Sequence, residues 1–320
     1  MRWIGDRESE NIEDRRGGGG MPMAVGGIGG LGAIIVLVVG LFLGIDPSTL
    51  MAVLNGGDPS MPQQQIDTRS GNNGSYGSGG SYRGTQGYGS SRPPETRPET
   101  RAEGNQGDTT RHFVAVVLAD TEDVWKQVFG SSGRTYVEPK LVLYTRQIAS
   151  PCGLASTASG PFYCPNDHKV YLDLSFFEEM KRRFHAPGEF AQAYVVAHEI
   201  GHHVQNSLGI LQAAQREEAS SDRRSANAIS VRVELQADCL AGVWAHHADR
   251  MKHIIEQGDV EAAMNAAAAV GDDRLQQQSR GVVVPDAFTH GSSAQRVRWF
   301  KRGMESGSLK QCDTFSAEQL

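Results

Sequence analysis

The residues best suited to do chemistry lie in the stretch AYVVAHEIGHHVQ, residues 193 to 205. Its pattern predicts a helix, and on a helix His198 and His202 stand one turn apart on the same face. Two imidazoles at this spacing can bind one metal ion, and Glu199 beside them can act as a general base. The HExxH pattern therefore predicts a zinc site that activates water, which is the chemistry of peptide-bond hydrolysis.

A catalytic zinc ion usually has three protein ligands and one open position, so a third ligand is needed. The segment ELQADCLAGVWA, residues 234 to 245, places Glu234 and Asp238 on one face of a predicted helix. A long charged helix often carries such a pair on its solvated side. Here the pair has apolar neighbours and follows the HExxH segment, which favours a role at the metal.

The composition fits a globular core but differs along the chain. Of the 320 residues, 39% are hydrophobic and 21% are charged, yet 38 are glycine, which is high for one uniform domain. The formal net charge is −6, and the Lys/Arg clusters are short. A nucleic-acid-binding protein is therefore not expected, because little basic surface is present to neutralise phosphates.

The N-terminal part of the sequence predicts a membrane anchor. Residues 1–23 are mostly polar, and residues 24–45 are free of charge over a length that can cross a bilayer. The most apolar part is short enough for a cleaved signal peptide, but no A-x-A-like site follows it, so a retained transmembrane helix is favoured. Arginines precede this run, which predicts a cytoplasmic N-terminal tail and a single-pass protein anchored in the lipid bilayer.

The remaining chain divides into a linker and a domain. Residues 46–110 are predicted to be a flexible linker, because Gly, Ser and Pro are frequent and no apolar period could build a core. Residues 111–320 are predicted to form one extracytoplasmic domain. Its predicted strands are Lys140–Tyr144 and Lys169–Leu174, and its predicted helices are Glu122–Phe129, Glu178–Phe184, Glu189–Ser207, Glu217–Met251 and Ser293–Arg302.

The second predicted strand, Lys169–Leu174, alternates apolar and polar residues. It could be a sheet edge that binds an extended substrate by strand addition.

Four cysteines in an exported domain favour two disulfide bonds over free thiols. Three pairings are compatible with the sequence. We prefer Cys152 with Cys164, because both lie at a Gly/Ser/Pro-rich loop, which leaves Cys239 with Cys312. A four-cysteine metal site is the alternative, but the chain has no CxxC spacing.

The segments HEIGHHVQ, ELQADCLAG and FTHGSSAQRVRWF, together with the anchor, resemble the bacterial family described as "Putative neutral zinc metallopeptidase". This family is similar to the gluzincins, which combine HExxH with ExxxD. The resemblance covers residues 111–320 and the anchor. It implies an α+β, mostly helical zincin-like domain with a small sheet, one catalytic Zn²⁺ ion and a peptide or protein substrate. The metzincin pattern would need glycine and histidine where Gln205 and Leu208 stand.

The resemblance also implies a role for individual residues. His198, His202 and Glu234 would bind zinc, and Glu199 would activate the zinc-bound water.

Three further roles concern residues around the metal. Asp238 would hold a ligand histidine, with His198 preferred. His290 would donate a hydrogen bond to the oxyanion of the reaction intermediate. For Arg296, three roles are open besides that of a surface charge: it could orient His290, orient Asp238 or bind substrate.

Two functions are compatible with these expectations. The first is a membrane-anchored zinc endopeptidase with its catalytic domain outside the cytoplasm, in the periplasm of a Gram-negative source. The alternative is a catalytically inactive, zinc-stabilised envelope domain that binds a protein partner. The sequence favours the enzyme, because it contains every residue type that the catalysis needs.

Overall fold

The computed structural model describes residues 1–17 and 99–320. Over these residues the strands are β1 (Ile12–Asp14), β2 (Lys140–Tyr144), β3 (Gln147–Ser150), β4 (Gly153–Ser156), β5 (Phe162–Cys164) and β6 (Lys169–Asp173). The α-helices are α1 (Glu99–Ser131), α2 (Ser175–Arg182), α3 (Glu189–Ser207), α4 (Ile210–Ala219), α5 (Arg223–Lys252), α6 (Asp259–Ala269), α7 (Asp272–Arg280) and α8 (Ser293–Ser306). Short 3-10 helices cover Thr157–Ser159, Pro285–Ala287 and Leu309–Cys312. The fold is thus mostly helical with a small sheet, as expected.

The main sheet has the strand order β1-β2-β6-β5, and β3 and β4 form a separate hairpin. Strands β1, β2 and β6 are parallel, whereas β5 is antiparallel to β6. Strand β6 therefore has neighbours on both sides, and the expectation that it is a substrate-binding edge is wrong. Both of its faces are buried: Val170 and Leu172 lie in the main core, and Tyr171 lies in a smaller one.

The first residues of the chain are part of this sheet. In β1, Ile12 pairs with Leu141 of β2. Before β1, the guanidinium of Arg7 donates to Glu122 at 3.0 Å, and the side-chain amide of Asn11 donates to the same carboxylate at 2.9 Å. Met1 is buried in the main core. Residues 1–17 therefore pack on the domain that follows them and do not form a separate tail.

This packing corrects the predicted topology. The predicted transmembrane helix, residues 24–45, lies outside the described residues, as does most of the predicted linker. Among the helices that the structure describes, none is long and apolar enough to cross a membrane. The single-pass arrangement is wrong, because it puts a bilayer between residues 1–23 and residues 111–320, whereas β1 and β2 share one sheet.

Two of the predicted helices differ most from the observed ones. The predicted helix Glu122–Phe129 belongs to the longer α1, which begins at Glu99 within the predicted linker. The single helix expected over Glu217–Met251 is divided into α4 and α5. The division occurs at Asp222, whose carboxylate accepts hydrogen bonds from the backbone N–H groups of two residues in the first turn of α5. Helix α3 has the predicted bounds.

Both preferred disulfide bonds are present. Cys152 is bonded to Cys164 and joins the β3–β4 hairpin to β5. Cys239 is bonded to Cys312 and joins α5 to the C-terminal segment. The described residues contain no free cysteine.

Helices α5 and α8 approach each other closely through glycine. A Cβ atom on Gly303 of α8 would overlap the backbone oxygen of Cys239, and one on Gly242 of α5 would overlap the backbone oxygen of Phe300. The two helices can therefore pack backbone against backbone only because these side chains are absent.

This close approach predicts that Gly303→Ala destabilises the domain by about 1–3 kcal/mol, because the helices must move apart. The measurement is the free energy of unfolding from denaturant titration. Gly130→Ala is the matched control, since a Cβ there meets nothing within 4 Å, and it should change stability by no more than about 1 kcal/mol, in the stabilising direction. Equal stability of the Gly303 variant and the wild type would contradict the packing argument.

Candidate metal centre

Helices α3 and α5 bring three metal-binding side chains together. His198 and His202 come from α3, Glu234 comes from α5, and their ligand atoms all lie within 4.8 Å of one another. Nε2 of His198 lies 3.2 Å from Oε2 of Glu234, and Nε2 of His202 lies 3.5 Å from its Oε1. The structure thus forms a His-His-Glu group that could hold one metal ion.

The ligand helices are held close at this point by Gly201. A Cβ atom on Gly201 would lie 3.0 Å from the backbone oxygen of Ala237 in α5. A larger residue within HExxH would push α5 away and carry Glu234 with it. Gly201 therefore sets the separation of the two helices that supply the ligands.

The second nitrogen of His198 contacts Asp238. Nδ1 lies 2.9 Å from Oδ1 of this fully buried carboxylate, one turn after Glu234 on α5. In the neutral ring Nδ1 donates to Asp238, and Nε2 then carries the lone pair that a metal would bind. Burial lowers the pKa of His198, but hydrogen bonds to Asp238 and Glu234 outweigh it and raise the pKa to about 10. A metal ion therefore has to compete with a proton at this site.

Asp238 has two further partners, Arg296 and Tyr194. Arg296 of α8 donates through Nε to Oδ2 at 2.8 Å and through Nη2 to Oδ1 at 2.9 Å. The hydroxyl of Tyr194, one turn before His198, donates to Oδ1 at 2.5 Å. Burial raises the pKa of Asp238, yet the charge of Arg296 and the hydrogen bonds lower it below its ordinary value. Of the roles open to Arg296, the structure shows contact with Asp238.

His202 is held differently from His198. Its Nδ1 lies 2.8 Å from the side-chain oxygen of Gln205, one turn later on α3. The contact again directs Nε2 toward Glu234. The adjacent His203 does not belong to the group, because its Nδ1 contacts the Tyr163 hydroxyl and its Nε2 contacts the backbone oxygen of Val137.

The two glutamates beside the ligands have opposite pKa shifts. Burial raises the pKa of Glu199 above its ordinary value, although the charges of His198 and His202 oppose this effect. Burial also raises the pKa of Glu234, but the two histidines outweigh it and lower the pKa well below the ordinary range. Of the two carboxyl groups, Glu234 therefore keeps its negative charge more readily, and Glu199 takes up a proton more readily.

His290 lies in a loop that a buried carboxylate fixes. Oδ2 of Asp272 accepts hydrogen bonds from the backbone N–H groups of Thr289, His290 and Gly291, at 2.6 to 2.9 Å. Burial lowers the pKa of His290, but Asp272 and the charge of Glu234 raise it above its ordinary value. Nδ1 of His290 also lies 3.5 Å from Oδ1, the other oxygen of the Asp272 carboxylate.

Three residues around the centre are not among the site residues predicted from the sequence. Tyr194 and Gln205 lie on the ligand helix, four residues before His198 and three after His202. This helical spacing could have indicated that they lie beside the two ligands. Asp272 had no such signal, because its contacts are with a loop that is distant in sequence.

Comparison with known proteins gives related chains. The model of a family described as "Putative neutral zinc metallopeptidase" matches residues 1–83 and 76–315. "Uncharacterized protein YpfJ" of Escherichia coli (strain K12) is 44% identical over 98% of this chain and 99% of its own length. "Uncharacterized protein Rv2575" of Mycobacterium tuberculosis (strain ATCC 25618 / H37Rv) is 43% identical over 67% of this chain and 74% of its own length. No solved structure gives a significant match.

The buried ion pair predicts that Arg296→Ala destabilises the domain by about 3–5 kcal/mol, because the Asp238 carboxylate would be left buried without its main counter-charge. Chemical denaturation measures the effect. Arg298→Ala on the same helix is the control: Arg298 is exposed, so its loss should change stability by no more than about 0.5 kcal/mol. Equal stability of the two variants would show that the Asp238–Arg296 ion pair does not stabilise the packing of α5 on α8.

Proposed function

Since this chain belongs to the family described as "Putative neutral zinc metallopeptidase", we propose that it is a zinc-dependent endopeptidase that hydrolyses peptide bonds. The resemblance inferred from the motifs is confirmed at the level of the family. The observation that supports this activity is the convergence of three ligand atoms within 4.8 Å of one another. Beside them lies the buried Glu199, on the helix that supplies the two histidines.

The donor set fits Zn²⁺, which binds imidazole nitrogen and carboxylate oxygen in tetrahedral sites. His198, His202 and Glu234 would hold the ion. Both imidazoles have Nδ1 engaged and Nε2 facing Glu234, so each would offer the same nitrogen. Three protein ligands leave one position open, as in catalytic rather than structural zinc sites. A bound Zn²⁺ would lower the pKa of a water molecule and polarise the substrate carbonyl.

We assign Glu199 the role of general base and then general acid. Its carboxylate would accept a proton from the attacking water and hand it to the amine that leaves when the C–N bond breaks. A carboxyl whose pKa is raised by burial suits both steps, because efficient proton transfer needs a pKa near the working pH.

We assign His290 to the carbonyl oxygen of the substrate, where negative charge develops. Its pKa is raised, which favours an imidazolium that can donate a hydrogen bond to an oxyanion. Asp272 would keep this loop in place through its three backbone hydrogen bonds. Asp238 and Arg296 would act through His198, by holding its ring against the metal position.

Glu199→Gln tests the catalytic role. The variant should keep zinc at the wild-type ratio but cleave peptides about 10²–10⁴-fold more slowly, because the proton acceptor is lost while the ligands remain. The measurements are metal content and cleavage of a fluorogenic peptide library. Glu217→Gln, at an exposed position on α4, is the control and should match the wild type in both. Unchanged cleavage by the Glu199 variant would refute the mechanism.

Glu234→Ala tests the third ligand. Zinc affinity should fall by at least about 10²-fold, because two histidines alone leave the ion without its anionic ligand. Competition with a chromophoric chelator measures this affinity. Glu261→Ala, at an exposed position on α6, should bind zinc as the wild type does. Wild-type affinity in the Glu234 variant would exclude this residue as a ligand.

A further inference from the structure

We infer that Gln205 and Gln236 position His202 and connect it to the C-terminal segment that the Cys239–Cys312 disulfide closes. We call these two side chains the glutamine relay. The inference rests on the proposed function, since it takes His202 to be a metal ligand. It concerns the orientation of that ligand and assigns the second disulfide a part in metal binding.

The relay begins at the ring of His202. The side-chain oxygen of Gln205 lies 2.8 Å from Nδ1 of His202. An amide oxygen only accepts hydrogen bonds, so Nδ1 must carry a proton, and in the neutral ring Nε2 is then free for a metal. Gln205 is fully buried, so its amide cannot turn to water instead. The tautomer of His202 therefore depends on the orientation of one amide group.

That orientation is fixed by two acceptors. The side-chain nitrogen of Gln205 donates to the backbone oxygen of Val233 at 2.8 Å and to the side-chain oxygen of Gln236 at 3.0 Å. If the Gln205 amide were flipped, its oxygen would face both of these oxygens and would lose both hydrogen bonds. The flip is costly in a buried site, because unpaired polar groups there are destabilising. Gln236 thus helps to keep the Gln205 oxygen on His202.

Gln236 is oriented in turn by the C-terminal segment. Its side-chain nitrogen donates to the backbone oxygen of Cys312 at 2.9 Å. From His202 through the relay to Cys312, every group donates in the same direction, and aligned hydrogen bonds of this kind strengthen one another. The backbone of Cys312 is therefore the fixed end on which the orientation of His202 depends.

Cys312 is fixed because the C-terminal segment is attached to α5 both before and after Gln236 along the helix. The disulfide joins Cys312 to Cys239, three residues after Gln236 on the helix. Beyond it, the Thr314 hydroxyl donates to the backbone oxygen of Arg232 at 2.7 Å.

The other disulfide contrasts with this one. Cys164 lies in the smaller core that Tyr144 and Tyr171 share, and its bond to Cys152 serves the hairpin. Of the two disulfides, the one that includes Cys312 is therefore the one expected to influence the metal site.

The two histidine ligands are thus supported by different chemistry. His198 donates to the charged Asp238, whereas His202 donates to a neutral amide. A neutral acceptor does little to increase the basicity of the ring, so the relay acts mainly by fixing the direction of Nε2. Losing it should loosen the ligand geometry without removing a charge from the site.

Gln236→Leu tests the relay in the full-length protein. The Zn²⁺ dissociation constant should rise by about 10–100-fold, as is typical when a group that orients a metal ligand is removed. The Co²⁺-substituted protein should show an altered d–d spectrum, and the Nδ1–H NMR signal of His202 should broaden or vanish. Gln276→Leu is the matched control: it also removes a buried glutamine, but one that contacts Val284. It should leave the affinity and both spectra unchanged.

A paired disulfide comparison tests the fixed end. Replacing Cys239 and Cys312 together by serine should weaken Zn²⁺ binding in the same direction as Gln236→Leu. The matched replacement of Cys152 and Cys164 should leave Zn²⁺ affinity unchanged. Equal affinity in the two double variants would overturn the link to the C-terminal segment.

The remaining outcomes separate the relay from the proposed function. Wild-type affinity and spectra in Gln236→Leu would overturn the relay alone. If that variant fails to fold, Gln205→Asn takes its place, because it keeps the amide but shortens its reach to His202, and it should show the same loss. A wild-type protein that binds no Zn²⁺ would overturn both proposals, whereas one that binds Zn²⁺ without cleaving peptides would overturn only the enzymatic activity.

Discussion

A carboxylate that is buried away from water needs hydrogen-bond partners for both of its oxygens. Asp238 has such partners on two other helices. Arg296 reaches it from α8, and the Tyr194 hydroxyl and the His198 ring reach it from α3. These contacts therefore constrain how the three helices pack around Asp238. The glycine contacts between α5 and α8 make this arrangement sterically accessible, and the orientation of a metal ligand is one of its results.

The centre combines strong fixed charges with one neutral support. Asp238 and Arg296 form an ion pair, so together they contribute little net charge beside the ligands. Glu234 is then the ionised carboxylate that faces the ligand nitrogens, while burial favours the protonated form of Glu199. A divalent cation would therefore have one anionic ligand, Glu234, and a neighbouring carboxyl group, Glu199, that can gain or lose a proton. This division of roles comes from the surroundings, since both residues are glutamates.

Much of the centre could be predicted from the sequence because its key residues lie on two helices at short, regular spacings. HExxH placed His198 and His202, ExxxD placed Glu234, and the bounds of α3 followed from local signals. Gln236 could not be predicted in the same way, because its role depends on the backbone of Cys312, far away in the sequence. The transmembrane topology failed for a related reason: an uncharged run says nothing about where residues 1–17 pack.

The pairing of β1 with β2 joins the first residues of the chain to a strand that begins at Lys140. Strand β1 therefore leaves the ribosome long before β2 has been synthesised, and the two strands cannot pair during that interval. Contacts between residues so distant in sequence have a large loop-closure entropy and generally slow folding. Until β2 is available, β1 lacks its strand partner, and unpaired strand edges can pair with other chains. Pairing with other chains is thus a risk during synthesis, and it ends when β1 and β2 have paired.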